Sequence, residues 1–243
     1  MLCAPGNTRV QSLISRYAET RKTDDFLGVT AHFTQIYPRW LVRVGIGGFV
    51  LGRRVPDLSA VNTSTMFKDS GKPSKKGAIH CLRFGLLPDD PASAHPDAVV
   101  LPDEDALRQW MFARLIDDHL EPLFRELRHG IRISYNVLWG NLAAACAEAV
   151  CRLNHRGLSL SLAQKEVSAL LDALKPRLGD RASVYSLEQG GLEALFARRR
   201  SCCLKYRLGG KSKCKNCGLR TDNEIVGAHL KKLRKLKARR NSD

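Results

Sequence analysis

Residues 198–219 read RRRSCCLKYRLGGKSKCKNCGL, and this stretch holds four of the chain's eight cysteines within sixteen positions. The four are Cys202, Cys203, Cys214 and Cys217. The sequence does not open with the basic segment and apolar run of a secretory signal. Thiols crowded this closely in such a chain indicate a metal centre rather than a disulfide framework.

The cysteine spacing leaves more than one kind of centre open. Zinc usually takes its four ligands from two C-x2-C pairs, and only Cys214 and Cys217 have that spacing. Cys202 and Cys203 are adjacent, so their side chains tend to diverge, which suits a cluster that divides its thiolates between two irons. Two glycines at 209–210 let the backbone approach the sulfurs. The residues favour iron–sulfur over zinc, with redox-active or incidental thiols as a third possibility.

A family resemblance bears on this choice. The pattern C-C-x10-C-x2-C resembles the cysteine motif of the FhuF-type ferric siderophore reductases, which carry a [2Fe–2S] cluster near the C-terminus. The segments RRSCCLKY at 199–206 and VLWGNLA at 137–143 are also similar to that family, and the resemblance spans residues 25–220. It implies that the cluster ligands, and through them the catalytic residues, are Cys202, Cys203, Cys214 and Cys217.

The resemblance further implies a reductase that passes one electron to siderophore-bound Fe(III), with a hydroxamate-type ferric siderophore as substrate. Fe(II) is a poorer match than Fe(III) for hard oxygen donors, so reduction releases the iron. No nicotinamide motif is visible, so an electron-donor protein or another reductant must supply the electron. The expected substrate-binding side chains are Arg199, Arg200, Lys205, Arg207, Trp139 and Asn141. For Trp139, a plain role as a core anchor is the alternative.

Charge is concentrated in the same part of the chain. The net charge is +16, and from residue 198 onward sixteen Lys and Arg face three acids. Such a field attracts anions, and neighbouring cations also favour reduction of an anionic four-thiolate cluster. The alternative is that the last residues are simply a solvated basic tail, which the resemblance does not cover.

The 243 residues suffice for one large domain or two small ones, and no apolar run reaches the ~20 residues that cross a bilayer. We expect a cytoplasmic protein without a membrane span. The predicted class is α+β, predominantly helical, with a small β hairpin or sheet and an irregular C-terminal cluster-binding loop. The predicted division is a siderophore-reductase-like helical domain at 1–190, a [2Fe–2S]-binding region at 191–220 and a basic tail at 221–243.

Local patterns predict the elements. A capping box at Thr8 and Gln11 predicts the beginning of a first helix. A helical face follows, with a bend expected at Pro38. A further helix is expected to begin near Asp103 and to be kinked or split by Pro122. Further helices are expected at 134–152, 161–174, 186–198 and 225–240. The second of these is expected to begin with a capping box at Ser161 and Gln164 and to be ended by Pro176. Residues 55–77 are interpreted as loop, and 78–87 as a strand paired with 98–101.

Other candidate motifs are assigned no chemistry. The glycines at 45–48 lack the G-x-G-x-x-G spacing, so close packing is their expected use. Asp117 and Glu121 have no E-x-x-H partner and are interpreted as a solvated face. The seven histidines are scattered, and each is expected to be structural or solvent-facing. The remaining cysteines are expected to be buried thiols, or part of a loose N-terminus in the case of the first: Cys81, Cys146, Cys151 and Cys3.

Two other functions stay open. A zinc-stabilised four-cysteine module could bind nucleic acid through its basic C-terminus, with strongly salt-dependent affinity, although no RNP or helix–turn–helix motif supports it. A ferredoxin-like electron carrier is the third possibility, but the large helical region exceeds what a carrier needs.

Overall fold

The computed structural model describes residues 8–209, 212–214 and 216–240. It is 55% helical with small sheets of two or three strands, which confirms the predicted α+β, predominantly helical class. Cys3 and Gly210 lie outside the described residues, so the expectations for them are not addressed. Within the described part, no helix is both long and apolar enough to cross a membrane.

Three helices come first: α1 (Thr8–Arg21), α2 (Phe26–Ile36) and α3 (Arg39–Gly52). Asp25 caps α2, since its carboxylate accepts a hydrogen bond at 3.0 Å from an N–H of the first turn. Pro38 is the N-cap of α3, so the bend expected there is a complete break between two helices. The glycines at 45–48 lie inside α3, where a Cβ on Gly45 would come within 2.7 Å of Leu58, which confirms close packing.

The next helical stretch is divided into three parts: α4 (Glu104–Phe112), a π-helical segment (Ala113–Leu120) and α5 (Glu121–Gly130). Asp103 caps α4 as predicted, by accepting from an N–H of its first turn at 2.7 Å. The predicted split at Pro122 is confirmed, because this proline, without an N–H, lies in the first turn of α5. Asp117 and Glu121 form salt bridges with surface arginines, in agreement with a solvated face.

Three longer helices follow: α6 (Tyr135–Asn154), α7 (Leu160–Leu178) and α8 (Asp222–Arg240). The helices predicted for α6 and α8 are confirmed. For α7 the capping-box prediction is wrong, because Ser159 rather than Ser161 accepts the capping bond, from Leu162 N–H at 3.3 Å. The prediction that Pro176 ends this helix is also wrong: it lies in the last turn, and the helix ends at Gly179, whose φ is +65°.

Five short strands build two small sheets: β1 (Val55–Pro56), β2 (Thr63–Phe67), β3 (Pro73–Ile79), β4 (Phe84–Leu86) and β5 (Ala98–Val100). The predicted pairing of the segments that contain β4 and β5 is confirmed, and it is parallel; β4 also pairs antiparallel with β1. The loop prediction for 55–77 and the single strand at 78–87 are wrong. The β2–β3 hairpin forms because Trp40 of α3 supports it, with Nε1 donating to Thr65 Oγ1 at 2.8 Å.

The segment before the cysteines is a β hairpin, β6 (Ala182–Gln189) and β7 (Leu192–Arg199), so the helix predicted at 186–198 is wrong. Gly190 and Gly191 form its two-residue turn with φ of +63° and +78°. Positive φ at both turn positions matches the right-handed twist of paired strands, and glycine adopts it without steric cost. The segment therefore forms a hairpin, although the neighbouring leucines have the spacing of a helix.

Helix α6 occupies the centre of the molecule. It packs against α2, α3 and α7 on one side and against the β6–β7 hairpin on the other. Helix α8 covers the outer face of the same hairpin, where Leu233 is buried with Ala194 and Phe196 in a second small core. The residues expected to form a basic tail therefore include a helix that is packed on the strand leading to the cysteines.

Candidate metal centre

Strand β7 and helix α6 fix the start of the cysteine loop, residues 200–221. Ser201 follows the strand and packs directly on Gly140 of α6, where a Cβ would come within 2.7 Å of the Ser201 Cβ. Only glycine lets the two segments approach so closely. The glycine of the VLWGNLA segment thus places the residue that precedes Cys202.

The loop brings the four cysteines together as two pairs. Cys203 Sγ lies 3.4 Å from Cys214 Sγ. Burial raises the pKa of the Cys202 thiol, and its neighbour Cys217 raises it further, which puts these two thiols side by side. Cys203 and Cys217 are buried, whereas Cys202 and Cys214 are partly exposed. Among residues 8–209, 212–214 and 216–240, no three Cys, His, Asp or Glu side chains are grouped as ligands of one metal ion.

Backbone N–H groups point at the sulfurs from the turn after the adjacent cysteines. Leu204 N–H donates to Cys202 Sγ at 3.4 Å, and the N–H of Lys205 donates to Cys203. Leu204 has a φ of +52°, a left-handed conformation that non-glycine residues rarely adopt. Such strain is typical of functional sites, and N–H groups directed at thiolates stabilise their negative charge.

The electrostatics of the loop favour a thiolate at Cys203. The hydrogen bond from the Cys214 thiol is the largest cause that lowers the pKa of Cys203, and the positive charge of Arg199 lowers it further. The same bond raises the pKa of Cys214, so this pair shares one proton. Burial instead raises the pKa of Cys146 and Cys151 to about 12, in agreement with inert buried thiols. The expectation of a buried thiol at Cys81 is wrong, because Cys81 is exposed and bonds Asn62.

Arg199 and Asn141, two of the residues expected to bind substrate, support the loop from beneath. Both are almost fully buried, at 3% and 1% exposed. Arg199 Nη1 donates to Asn141 Oδ1 at 2.5 Å, and the Asn141 amide donates to Ala31 O and Thr34 Oγ1 of α2. This chain of bonds ties β7 to α6 and α2 directly behind the cysteines.

The other expected substrate residues are spread over three places. Arg200 is exposed and forms a salt bridge with Asp180. Arg207 also has a partner, because its Nε lies 2.8 Å from Asp25, while Lys205 is partly buried next to Cys203. Trp139 meets Phe124 edge to face and stacks on Tyr135, with ring centroids 4.9 and 5.9 Å away, which is the role of a core anchor.

Sequence reasoning missed a cavity of about 570 Å³ between α6, β7 and α8. Asn216 of the cysteine loop lines it, together with Arg152 of α6 and His229 of α8. Asn216 Oδ1 also accepts from the N–H of Arg199 at 3.1 Å. No spacing pattern could reveal this site, because its walls come from three segments far apart in the sequence.

The histidines conform to their expected structural role where the structure shows their partners. His119 donates from Nδ1 to Leu58 O at 2.8 Å and accepts at Nε2 from Tyr37 O–H at 2.9 Å. Burial lowers its pKa to about 4. His32 and His229 are bonded to tyrosine hydroxyls in the same way, and burial also lowers their pKa values.

No protein-family model matches this chain, and neither does any curated protein. The resemblance to the FhuF-type reductases therefore stays a prediction from residues 137–143 and from the cysteine stretch at 199–217. In the fold these two segments are in contact, through Gly140 with Ser201 and Asn141 with Arg199.

Proposed function

We propose that this chain is an iron–sulfur oxidoreductase, a ferric siderophore reductase that holds a [2Fe–2S] cluster through Cys202, Cys203, Cys214 and Cys217. The observation that carries the proposal is the gathering of these four cysteines as two thiol pairs in one loop. Each iron of a two-iron cluster takes two protein thiolates, so two pairs match its needs. A zinc ion would instead take all four thiolates around one centre.

The surroundings of the pairs support an anionic cluster. Two backbone N–H groups donate to the sulfurs. The guanidinium of Arg199 is buried beside Cys203 and held in place by Asn141, so it offers fixed positive charge. Preorganised donors and cations of this kind stabilise thiolates and raise a cluster's reduction potential.

A [2Fe–2S] cluster held by the four cysteines would supply the one electron that reduces Fe(III) in the siderophore. Fe(III) prefers the hard oxygen donors of the chelate, and Fe(II) binds them less tightly, so the reduced iron leaves. The chain contributes the site itself: Gly140 and Ser201 fix the loop, Arg199 sets its charge, and the partly exposed Cys202 and Cys214 face the outside. The electron comes from a donor protein or another reductant.

The setting that fits the proposal is the cytoplasm. Its reducing conditions keep free thiols available for metal binding. For the substrate, the family resemblance implies a hydroxamate-type ferric siderophore.

Anaerobic purification followed by visible absorption, EPR and metal analysis tests the cluster. We expect a red-brown protein with two irons per chain, bleached by dithionite with the appearance of a rhombic one-electron signal. Cys203→Ser should lose most of the iron. Cys81→Ser is the matched control, because this exposed thiol lies outside the loop, and it should keep the iron content of the parent protein.

The decisive contrary result is a colourless protein with one zinc per chain that takes up no iron after anaerobic reconstitution with iron and sulfide. That result would favour the alternative, a zinc-stabilised module that binds nucleic acid through α8. A cluster-bearing protein should then be assayed for reduction of ferric siderophores under saturating conditions. A reductase should show a rate that saturates with the concentration of ferric siderophore, whereas an electron carrier without a substrate site should not.

A further inference from the structure

The cavity between α6, β7 and α8 is dominated by positive charge. Among the described residues that line it, Glu148 is the one carboxylate. The cationic side chains that line it are Arg152, Lys231, Lys232, Arg234 and Lys235. The acids of α8, Asp222 and Glu224, lie in its first turn and pair with other arginines, so they do not neutralise these cations.

The walls of the cavity are fixed by packing. Leu233 of α8 is fully buried. His229 stacks on Phe196 with ring centroids 4.7 Å apart and hydrogen-bonds the hydroxyl of Tyr185 at 2.6 Å. The volume of about 570 Å³ falls within the range of small-ligand sites, roughly 300–1,000 Å³. A concave, packed site of this size differs from the flat surface of a solvated basic helix.

The cavity adjoins the candidate metal centre. Asn216 stands between Cys214 and Cys217 in the sequence, and its side chain lines the cavity. A ligand in the cavity would therefore contact the loop that carries the thiols, which is where a one-electron acceptor must lie.

Ferric siderophores differ in charge in a way that this cavity can distinguish. Three hydroxamates cancel the charge of Fe(III), whereas three catecholates leave a complex with three negative charges, and hydroxycarboxylate chelates are also anionic. We propose that the cavity between α6, β7 and α8 binds ferric chelates of net negative charge, tris-catecholates most tightly, rather than neutral hydroxamate complexes. Its cations complement that charge and also stabilise the more negative Fe(II) product.

This inference rests on the proposed function, since it names the substrate class of the same reductase. It departs from the hydroxamate expectation because the charge of the cavity, rather than the family resemblance, selects the ligand. Binding can be measured apart from reduction by replacing Fe(III) with Ga(III), which has the same charge and is not reduced.

Equilibrium titration of the purified protein with Ga(III) chelates, followed by tryptophan fluorescence or calorimetry, provides the test. We expect the tris-catecholate to bind at least about tenfold more tightly than the neutral tris-hydroxamate, and its affinity to fall as salt rises. Lys231→Glu with Lys235→Glu should weaken tris-catecholate binding by about tenfold or more. The neutral chelate should be little affected by either change.

Lys165→Glu with Lys175→Glu is the matched control, because both lysines are exposed on α7 and the change in net charge is the same. It should leave the affinity within about twofold, since long-range surface charges are screened. Circular dichroism verifies the fold of each variant. The salt titration needs no variant and decides the matter for the parent protein on its own.

The inference is overturned if the neutral chelate binds as tightly as the anionic one, if both bind without salt dependence, or if neither binds. It is also overturned if charge reversal at Lys231 and Lys235 gives a well-folded variant whose affinity for the tris-catecholate is unchanged. Iron and sulfide content should be measured on the same samples, because it tests the proposed cluster independently of chelate binding. A cluster-bearing protein indifferent to chelate charge overturns only the cavity inference. Selective binding of anionic chelates by a protein that cannot hold a cluster refutes only the reductase.

Discussion

Gly140→Ala is the substitution that most directly tests how the cysteine loop is placed. The added Cβ would overlap Ser201 Oγ and lie 2.7 Å from Ser201 Cβ, a separation that real Cβ atoms do not show. Rotation of the serine can move Oγ but not Cβ, so α6 and the loop must separate. The substitution therefore acts on the residue next to Cys202 without touching any thiol.

The magnitude follows from two opposing effects. Overpacking in a close-packed interior costs about 1–3 kcal/mol. Alanine's higher helix propensity offsets about 1 kcal/mol of this. We expect Gly140→Ala to lower the free energy of unfolding by up to about 2 kcal/mol, and to lower iron content because the loop is displaced.

Urea unfolding followed by circular dichroism, with iron analysis of the same preparations, is the assay. Ser201→Gly removes both clashing atoms, and it breaks no hydrogen bond because Ser201 Oγ is buried without a partner among the described residues. The double variant should recover about 1–2 kcal/mol relative to the sum of the single effects. Gly47→Ala in α3 is the control: it meets nothing within 4 Å and should be neutral or stabilising.

Two results would refute the reasoning. One is a Gly140→Ala protein as stable and as rich in iron as the parent. The other is an additive double variant, in which Ser201→Gly gives no relief. Either would mean that α6 does not position the loop through this contact.

Three other predictions concern the scaffold. The pKa of His119 is about 4 in the folded protein and 6.5 in the unfolded chain. As the pH falls from 6.5 to 4, the free energy of unfolding should therefore decrease by about 3 kcal/mol for this group. In urea titrations His119→Gln should show a smaller decrease over this pH range, and the same decrease as in the parent protein would contradict the assignment. Asp103→Ala should cost about 1 kcal/mol through loss of the α4 cap, measured by urea unfolding, and no loss would exclude the cap's contribution. Gly191→Ala should cost about 1–2 kcal/mol and lower the melting temperature, whereas an unchanged melting temperature would show that the turn tolerates a Cβ.

Caps and apolar periodicity made most helices predictable from the sequence. Asp103 and Pro122 act through local backbone chemistry, so the beginning and the division of that helical stretch follow from a few residues. The same reasoning failed for the β6–β7 hairpin, where Leu192, Leu195 and Phe196 have helical spacing. Gly190 and Gly191 are the signal to the contrary, since two consecutive glycines favour a two-residue hairpin turn.

Tertiary contacts account for the other errors. The β2–β3 hairpin is polar in sequence and depends on Trp40, more than twenty residues earlier. In the candidate site the four cysteines could be named from their spacing, and the structure groups them in pairs. Arg199 and Asn141 could be singled out by resemblance, but their burial beneath the loop could not be foreseen. The cavity beside Asn216 arises only when α8 packs on the hairpin.

The salt bridge between Arg198 and Asp222 joins the end of β7 to the beginning of α8, so the cysteine loop starts and finishes at the same point. Closing a segment of this length costs roughly 3 kcal/mol of chain entropy. The packing of α8 on the hairpin meets that cost with contacts between protein side chains alone. The two ends of the loop are therefore held together independently of any ligand of the cysteines. If the proposed cluster binds, its ligation would not have to bring the ends of this segment together.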